Sequence, residues 1–277
     1  MRRLLLAILA AGAALAGFGV VSAVQDPRTV HYTVGVPGLA APLRIVQLSD
    51  SHASAVDMPP QRLRRVVAVM NALKPDIIVL SGDYLSGSPD RWSPAQTRAA
   101  LAPFDALTAP FGVFAVLGNH DDRGKTAAAL RYGPVRLLVG QRVDAGPMSI
   151  IGTQDYQGGS PAVDAMRREI RRAPAGKPVL VLVHEPAFFK WLQARPVLMI
   201  AGHTHGGQIK LPIIGTWSVN DFYAAHQRGV FIERRQRMIV SSGLGTTLLP
   251  LRIGVPPEIV LLTLVPAQPG KNSGTDR

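Results

Sequence analysis

The chain has no cysteine among its 277 residues. That excludes a disulfide scaffold, a thiolate zinc site, an iron–sulfur cluster and a cysteine nucleophile, while leaving the redox compartment open. Aromatic residues are scarce, at 6% of the chain, and charged residues reach only 17%. Acidic charge is the rarer sign: 18 Asp and Glu stand against 30 Lys and Arg, a net charge of +12. With 47% apolar residues, so lightly charged a chain is not intrinsically disordered. The basic excess invites nucleic acid as a partner, yet the arginines fall in separated groups: Arg62, Arg64 and Arg65; Arg167, Arg168, Arg171 and Arg172; Arg234, Arg235 and Arg237. The middle group has helical spacing and lacks the interleaved aromatic residues that stack bases. It is expected to be a solvated helix face, which counts against nucleic acid. An anionic lipid surface or an anionic substrate matches the same charge.

What the chain does have is one long uncharged run. Leu4–Val24 follows Arg2 and Arg3 and contains 21 residues, about 31 Å as a helix, enough to cross the hydrocarbon core of a bilayer once. Val21-Ser22-Ala23 resembles a signal cleavage site, and the arginine pair weakly resembles a twin-arginine export signal. The run exceeds the length of an ordinary signal core, so an uncleaved single-pass anchor in the inner membrane is expected, with export after cleavage as the alternative. Positive charge at the short end keeps that end in the cytoplasm and puts the remainder on the exterior side. Residues 1–26 are thus the membrane segment, 27–267 one globular domain of ample size for a core, and 268–277 a flexible polar tail.

The middle of the chain reads as α/β. Helix patterns at Pro60–Leu73, Pro94–Leu107, Lys125–Tyr132, Pro161–Arg172 and Pro186–Ala194 alternate with short apolar runs. Met238–Ser242 and Glu258–Leu264 are late strands, the second closing the sheet. Ile45–Ser49 ends in Asp50-Ser51-His52, Ile77–Ser81 in Gly82-Asp83, and Val113–Leu117 in Gly118-Asn119-His120-Asp121. Val179–Val183 ends in His184-Glu185, and Val197–Ile200 leads to Gly202-His203-Thr204-His205. These residues are expected at one edge of a sheet, where open α/β folds bind ligands. Of seven histidines, only His31 and His226 lie elsewhere. So many converging polar groups need partners, and nitrogen and oxygen donors without sulfur suit Mn, Fe, Co, Ni or Zn.

The ordered set Asp-x-His, Gly-Asp, Gly-Asn-His-Asp, a lone His and Gly-His-Thr-His resembles the calcineurin-like metallophosphoesterases, complete from Asp50 to His205. The Gly-Asp-x-x-Asp-Arg-Gly extension of the protein Ser/Thr phosphatases is absent, and Ser86 stands where purple acid phosphatases place a metal-binding Tyr. Gly202–Gln208, and Gly243-Leu244-Gly245-Thr246 before Pro257-Glu258-Ile259, are similar to a small membrane-associated bacterial branch. Some of its members are pyrophosphatases that cleave UDP-2,3-diacylglucosamine in lipid A biosynthesis, and others are general phosphodiesterases.

The resemblance implies a four-layer α/β/β/α sandwich with metal ligands at strand C-terminal ends and two divalent transition-metal ions. One metal would take Asp50, His52 and His205, the other Asn119, His184 and His203, with Asp83 bridging. Alternation along an extended segment would let Asp50 and His52 share a side, as His203 and His205 would. Two divalent ions against two aspartates leave a net +2 to hold an anionic phosphoester. His120 would stand over the phosphoryl group as acid or stabiliser. Asp121 would orient it, or else cap the next helix. The apolar residues Leu211, Ile213, Ile214, Trp217, Phe222 and Tyr223 form a wall for an acyl chain of an amphiphilic substrate, a surface that docks on the membrane, or a hairpin packed on the body, and Leu248-Leu249-Pro250-Leu251 carries the same alternatives. The implied activity is hydrolysis of a phosphodiester or pyrophosphate bond. A nuclease of the same superfamily and a catalytically silent, membrane-tethered binding module are the alternatives.

Overall fold

The computed structural model describes residues 1–153, 159–192, 195–211, 215–216 and 221–267. The tail 268–277, and Ile213, Ile214 and Trp217 of the apolar stretch, lie outside the described residues. In chain order the first half comprises α1 (Arg2–Val24), β1 (Arg28–Val36), β2 (Leu43–Leu48), α2 (Pro60–Ala72), β3 (Ile77–Leu80), α3 (Pro94–Leu101), β4 (Val113–Ala115), α4 (Arg123–Leu130) and β5 (Val135–Leu137). The second half comprises β6 (Gln141–Ala145), β7 (Met148–Gly152), α5 (Gly159–Arg172), β8 (Val179–Leu182), β9 (Leu198–Ala201), β10 (Lys210–Leu211), β11 (Gly215–Thr216), α6 (Asp221–Ala225), β12 (Gly229–Glu233), β13 (Gln236–Val240) and β14 (Glu258–Pro266).

Strands buried on both faces must be covered twice, and two six-stranded sheets do this for each other. The orders are β1-β14-β2-β3-β4-β5 and β12-β13-β9-β8-β7-β6. Along β3, Ile77 and Val79 point between the sheets, against Leu180 and Leu182 of β8. Ile78 and Leu80 point outward, under Val66 and Met70 of α2 and Leu101 of α3. On the far side, Val179 and Val181 meet Val163, Met166 and Ile170 of α5. The result is the expected α/β/β/α sandwich.

Local signals explain most helix starts. α2 and α3 carry Pro in the first turn, where a missing N–H costs nothing, and Ser93 with Gln96 closes a capping box on α3. The cap of α4 is Asp122, whose side chain accepts the Lys125 amide. The basic α5 keeps Arg168, Arg171 and Arg172 exposed and buries Ala162, Val163, Met166 and Ile170, as helical spacing predicted. Elsewhere the structure corrects the reading. The five ligand-bearing strands belong to two sheets, so one sheet edge is insufficient. β14 does not close its sheet; it lies inside it, parallel to β1 and antiparallel to β2. Pro186–Trp191 is a 3-10 helix, and residue 194 lies outside the described residues. β1 and β6 escape apolar-run reading because polar residues recur along them, and β7 because Ser149 and Gly152 leave its apolar run short.

Candidate metal centre

β2, β3 and β4 of one sheet and β8 and β9 of the other deliver their C-terminal ends to a common rim. Tight backbone bonds hold those ends: the Asp50 amide donates to Gly82 O (3.0 Å), His52 to Asp83 O (3.0 Å) and Gly202 to His184 O (2.9 Å). The segments are not extended. Asp50, His52, Asp83, His203 and His205 have φ of 50, 40, 56, 72 and 51°, five of the nine non-glycine residues in the left-handed region among those described. Each such residue costs on the order of 1–3 kcal/mol. Left-handed turns, rather than strand alternation, therefore aim these side chains. Gly118 and Gly202 are required by close approach: a Cβ on Gly118 would lie 2.6 Å from the Asp83 amide, and one on Gly202 would collide with Ser49 Oγ.

The side chains form two groups able to hold a cation, Asp50, His52, Asp83 and His205 in one, and Asp83, His184 and His203 in the other. In the first, the Nε2 atoms of His52 and His205 are 3.1 Å apart, and His205 Nε2 lies 3.6 Å from Asp50 Oδ1. In the second, His184 Nε2 and His203 Nδ1 are 3.1 Å apart, and each is 3.1 Å from Asn119 Oδ1. Asp83 Oδ2 sits between the groups, 3.5 Å from His52 Nε2 and 3.3 Å from His184 Nε2. Its other oxygen accepts the His120 amide at 2.9 Å.

Donor chemistry tests whether metal fits. The far nitrogens of two rings face carbonyls, His184 Nδ1 to Ser81 O (2.8 Å) and His52 Nδ1 to Leu85 O (3.3 Å). A carbonyl requires the N–H there, so the inward Nε2 presents its lone pair, the usual arrangement behind a metal-bound imidazole. Burial pushes His52 and His205 below the ordinary imidazole pKa, and burial with the charge of His184 lowers His203 to about 4. These rings are neutral donors. Burial opposes charge on Asp83 and His184 alike, but their mutual attraction prevails. The carboxyl is held far below its usual range, and the imidazole rises to about 10. In the metal-free protein a proton on His184 Nε2 balances Asp83, and a divalent cation would replace that proton and leave the ring neutral. Neutral imidazoles facing one another across buried carboxylates fit two divalent cations, and the chain carries a dinuclear metal-binding site of the type metallophosphoesterases have.

The structure places His120 beside this centre, its ring edge-on to His52 with centroids 5.1 Å apart. His120 Nδ1 faces Gly87 O at 2.8 Å, a carbonyl with no sequence signal. Asp121 was expected to orient that ring, but its oxygens go to the backbone. Oδ2 accepts the amides of Asp83 (2.8 Å) and Gly118 (2.9 Å), and Oδ1 accepts that of Tyr84 (2.8 Å). Nor does it cap a helix, since Asp122 does. Asp121 instead braces the Asp83 turn against the Gly118 turn.

Next to the centre lies a mostly apolar cavity of about 470 Å³, lined by His203 and His205 together with Ile209, Leu211, Leu248 and Leu249. Leu211 belongs to the small β10–β11 hairpin and lines this cavity, while Ile213, Ile214 and Trp217 lie outside the described residues. Tyr223 also lines the cavity, edge-on to His203, and donates to Glu185 Oε2 at 2.7 Å. Arg252, fully buried, donates to Ser242 O, Gly245 O and Val255 O and lies 3.4 Å from His205 Nδ1. No motif singles it out; its role comes from the loop it ties.

The sequence profile described as calcineurin-like phosphoesterase matches residues 43–207. The chain is 31% identical over 280 residues to the uncharacterized metallophosphoesterase YkuE of Bacillus subtilis, covering 92% of this chain and 93% of that one. It is 31% identical to the phosphodiesterase YaeI of Escherichia coli, covering 82% and 83%. It is 27% identical to a zebrafish (Danio rerio) transmembrane protein with metallophosphoesterase domain, covering 91% of this chain and 60% of that one. Among solved structures, a dimetal phosphatase from Danio rerio shares the fold with a TM-score of 0.53 at 12% identity, over 81% of this chain and 99% of that one. With the profile covering β2 to β9 and all five ligand-bearing turns, more than half of the chain, the chain belongs to the calcineurin-like phosphoesterases.

Proposed function

We propose that this metal-dependent phosphoesterase hydrolyses a phosphodiester or pyrophosphate bond, with Asp50, His52 and His205 holding one metal, Asn119, His184 and His203 the other, and Asp83 shared. The observation that carries the assignment is the position of Asp83 Oδ2, 3.5 and 3.3 Å from histidines of the two groups. Two divalent cations, when bound, supply Lewis-acid stabilisation of a phosphoryl group and activation of water. Asp83 positions both sites at once. Asp121 keeps the Asp83 turn in register with Asn119 through three backbone amides. His120, held at Nδ1 by Gly87 O, keeps Nε2 for the phosphoryl group; in its doubly protonated form it gives the Nε2 proton to the leaving-group oxygen or stabilises the transition state.

The finer substrate reading is a lipid-linked phosphoester, of the kind UDP-2,3-diacylglucosamine represents. The apolar cavity beside His203 and His205 and the apolar α1 support it. Arg2 and Arg3 support a catalytic body on the exterior face, which favours an externally facing lipid ester over a nucleotide-linked precursor made in the cytoplasm. A topology reporter at Arg277 tests the side, and a cytoplasmic signal would overturn it. For the chemistry, protein lacking residues 1–26 should bind close to two transition-metal ions and cleave a soluble aryl phosphodiester. Asp83→Asn should abolish both most completely. Activity that survives chelation, in protein that takes up no metal, would refute the assignment.

A further inference from the structure

The last turns of α1 are not free of the body. Arg252 N–H donates to Gly19 O at 2.9 Å, and a Cβ on Gly19 would lie 3.0 Å from Leu251 Cβ and 3.2 Å from Ile253 Cγ1. Gly19, Ser22 and Ala23 are the only buried residues of the helix. The segment clear of the body is therefore Leu4–Phe18, 15 residues or roughly 22 Å of helix. A bilayer core is about 30 Å thick. The helix can span it only if Gly19–Val24 also lies at membrane depth, and whatever packs on that turn must then reach the lipid.

Leu251 and Ile253 pack there, and the loops joined to that turn carry exposed apolar side chains. Leu248 is 97% exposed and sits at φ 62°, a left-handed conformation that costs a leucine energy while aiming it outward. Leu249 is 54% exposed and Val56 73%. Hydrogen bonds join these segments to one another. Thr246 Oγ1 donates to Asp57 Oδ2 (2.6 Å), and Arg62 donates to Asp57 O and, at 2.6 Å, to Gln25 O at the end of α1. Gln208, three residues past His205, donates to Thr247 O (3.0 Å) and Leu249 O (3.1 Å) and accepts from Thr247 N–H (2.9 Å). Arg28, Arg64 and Arg65, exposed near the same end of α1, supply cations for anionic headgroups.

We propose that the loops 54–58 and 246–251 form a second membrane contact, inserting Val56, Leu248 and Leu249 into the bilayer interface beside α1. The metal centre is thereby docked with its cavity opening on the lipid. This deepens the proposed function and rests on it, since it says how a lipid-borne phosphoester reaches the centre. The partner is the lipid surface itself. Exposed apolar side chains on a strained loop, tied to a helix that spans only when its last turns also lie at membrane depth, have no comparable role in water.

The absence of cysteine makes the test direct. Full-length Leu248→Cys carries one thiol for an environment-sensitive dye, and Tyr132→Cys serves as control. Tyr132 is 70% exposed and precedes β5, at the sheet edge opposite β1. In phosphatidylcholine–phosphatidylglycerol vesicles, the dye at 248 should shift to the blue and be quenched by brominated lipid, while that at 132 should be unaffected. Val56→Asp should leave cleavage of a soluble aryl diester unchanged and slow cleavage of a vesicle-embedded phosphodiester lipid by roughly tenfold. A dye at 248 that reports water, in protein that cleaves the soluble diester, overturns the docking proposal alone. Loss of soluble-diester cleavage by the metal-loaded parent would overturn the proposed function instead.

Discussion

Asp121→Asn separates a brace from an orienting group. The carboxylate accepts three backbone amides, from Gly118, Asp83 and Tyr84, at 2.8–2.9 Å. An asparagine of the same shape offers one acceptor oxygen, and its NH₂ faces the remaining N–H or pair of N–H groups. Burial raises the pKa of the Asp121 carboxyl to about 7. Above that pH one or two charge-assisted hydrogen bonds are lost, at about 1.5–3 kcal/mol each, a total of roughly 1.5–6 kcal/mol. That is a large share of an ordinary domain's stability. The loss falls on the turn where Asp83 is held at φ 56°, so the turn should relax and both metal sites should loosen. If half or more of the loss appears in binding, affinity falls by roughly one to three orders of magnitude. Urea unfolding of metal-free protein and calorimetric metal titration measure the two effects. Unfolding within about 0.5 kcal/mol of the parent, with unchanged metal affinity, would refute the brace. A shifted pH–rate profile at unchanged affinity would restore the orienting role.

Two further tests probe neighbouring residues. His120→Ala should retain its metal and slow turnover most for poor leaving groups, whereas His203→Ala should lower metal content; elemental analysis beside a leaving-group series reads both, and equal metal loss would reassign His120. The pH dependence follows from His184, whose folded pKa of about 10 lies above the ordinary 6.5. Its stabilising contribution is complete below about pH 6.5 and disappears as pH rises through about 10. The urea midpoint of metal-free protein should therefore fall across that window, and the slope should flatten in Asp83→Asn, which removes the partner carboxylate. An equal slope in both proteins would show that this pair does not carry it.

The strand ends were legible because a buried strand is a short apolar run, and a polar residue directly after it stands out. Asp50, Asp83, Asn119, His184 and His203 are visible for that reason, and their order carries the family resemblance. The alternating β1 and the polar β6 gave no such contrast. Arg252, Gly87 O and Gln208 were invisible because each acts on segments distant in the chain through a backbone group or a lone side chain. The brace formed by Asp121 was invisible for a related reason: His120 is next to it in sequence, but its hydrogen-bond partners at positions 83 and 84 are next to it in space.

The sequence by itself determined the donor types, their order after the strands, the basic outer face of α5 and an apolar helix of membrane-spanning length. Each depends on local composition or periodicity, which survives in one dimension. Tertiary structure alone decided that two sheets share the site, and that left-handed turns rather than extended strands aim five of the candidate ligands. It also decided that the end of α1 is fastened to the loop carrying Leu248. Those outcomes depend on contacts between segments as far apart as Gly19 and Arg252, or His52 and His205. No local pattern encodes such contacts, because a side chain's burial says that something covers it but not what.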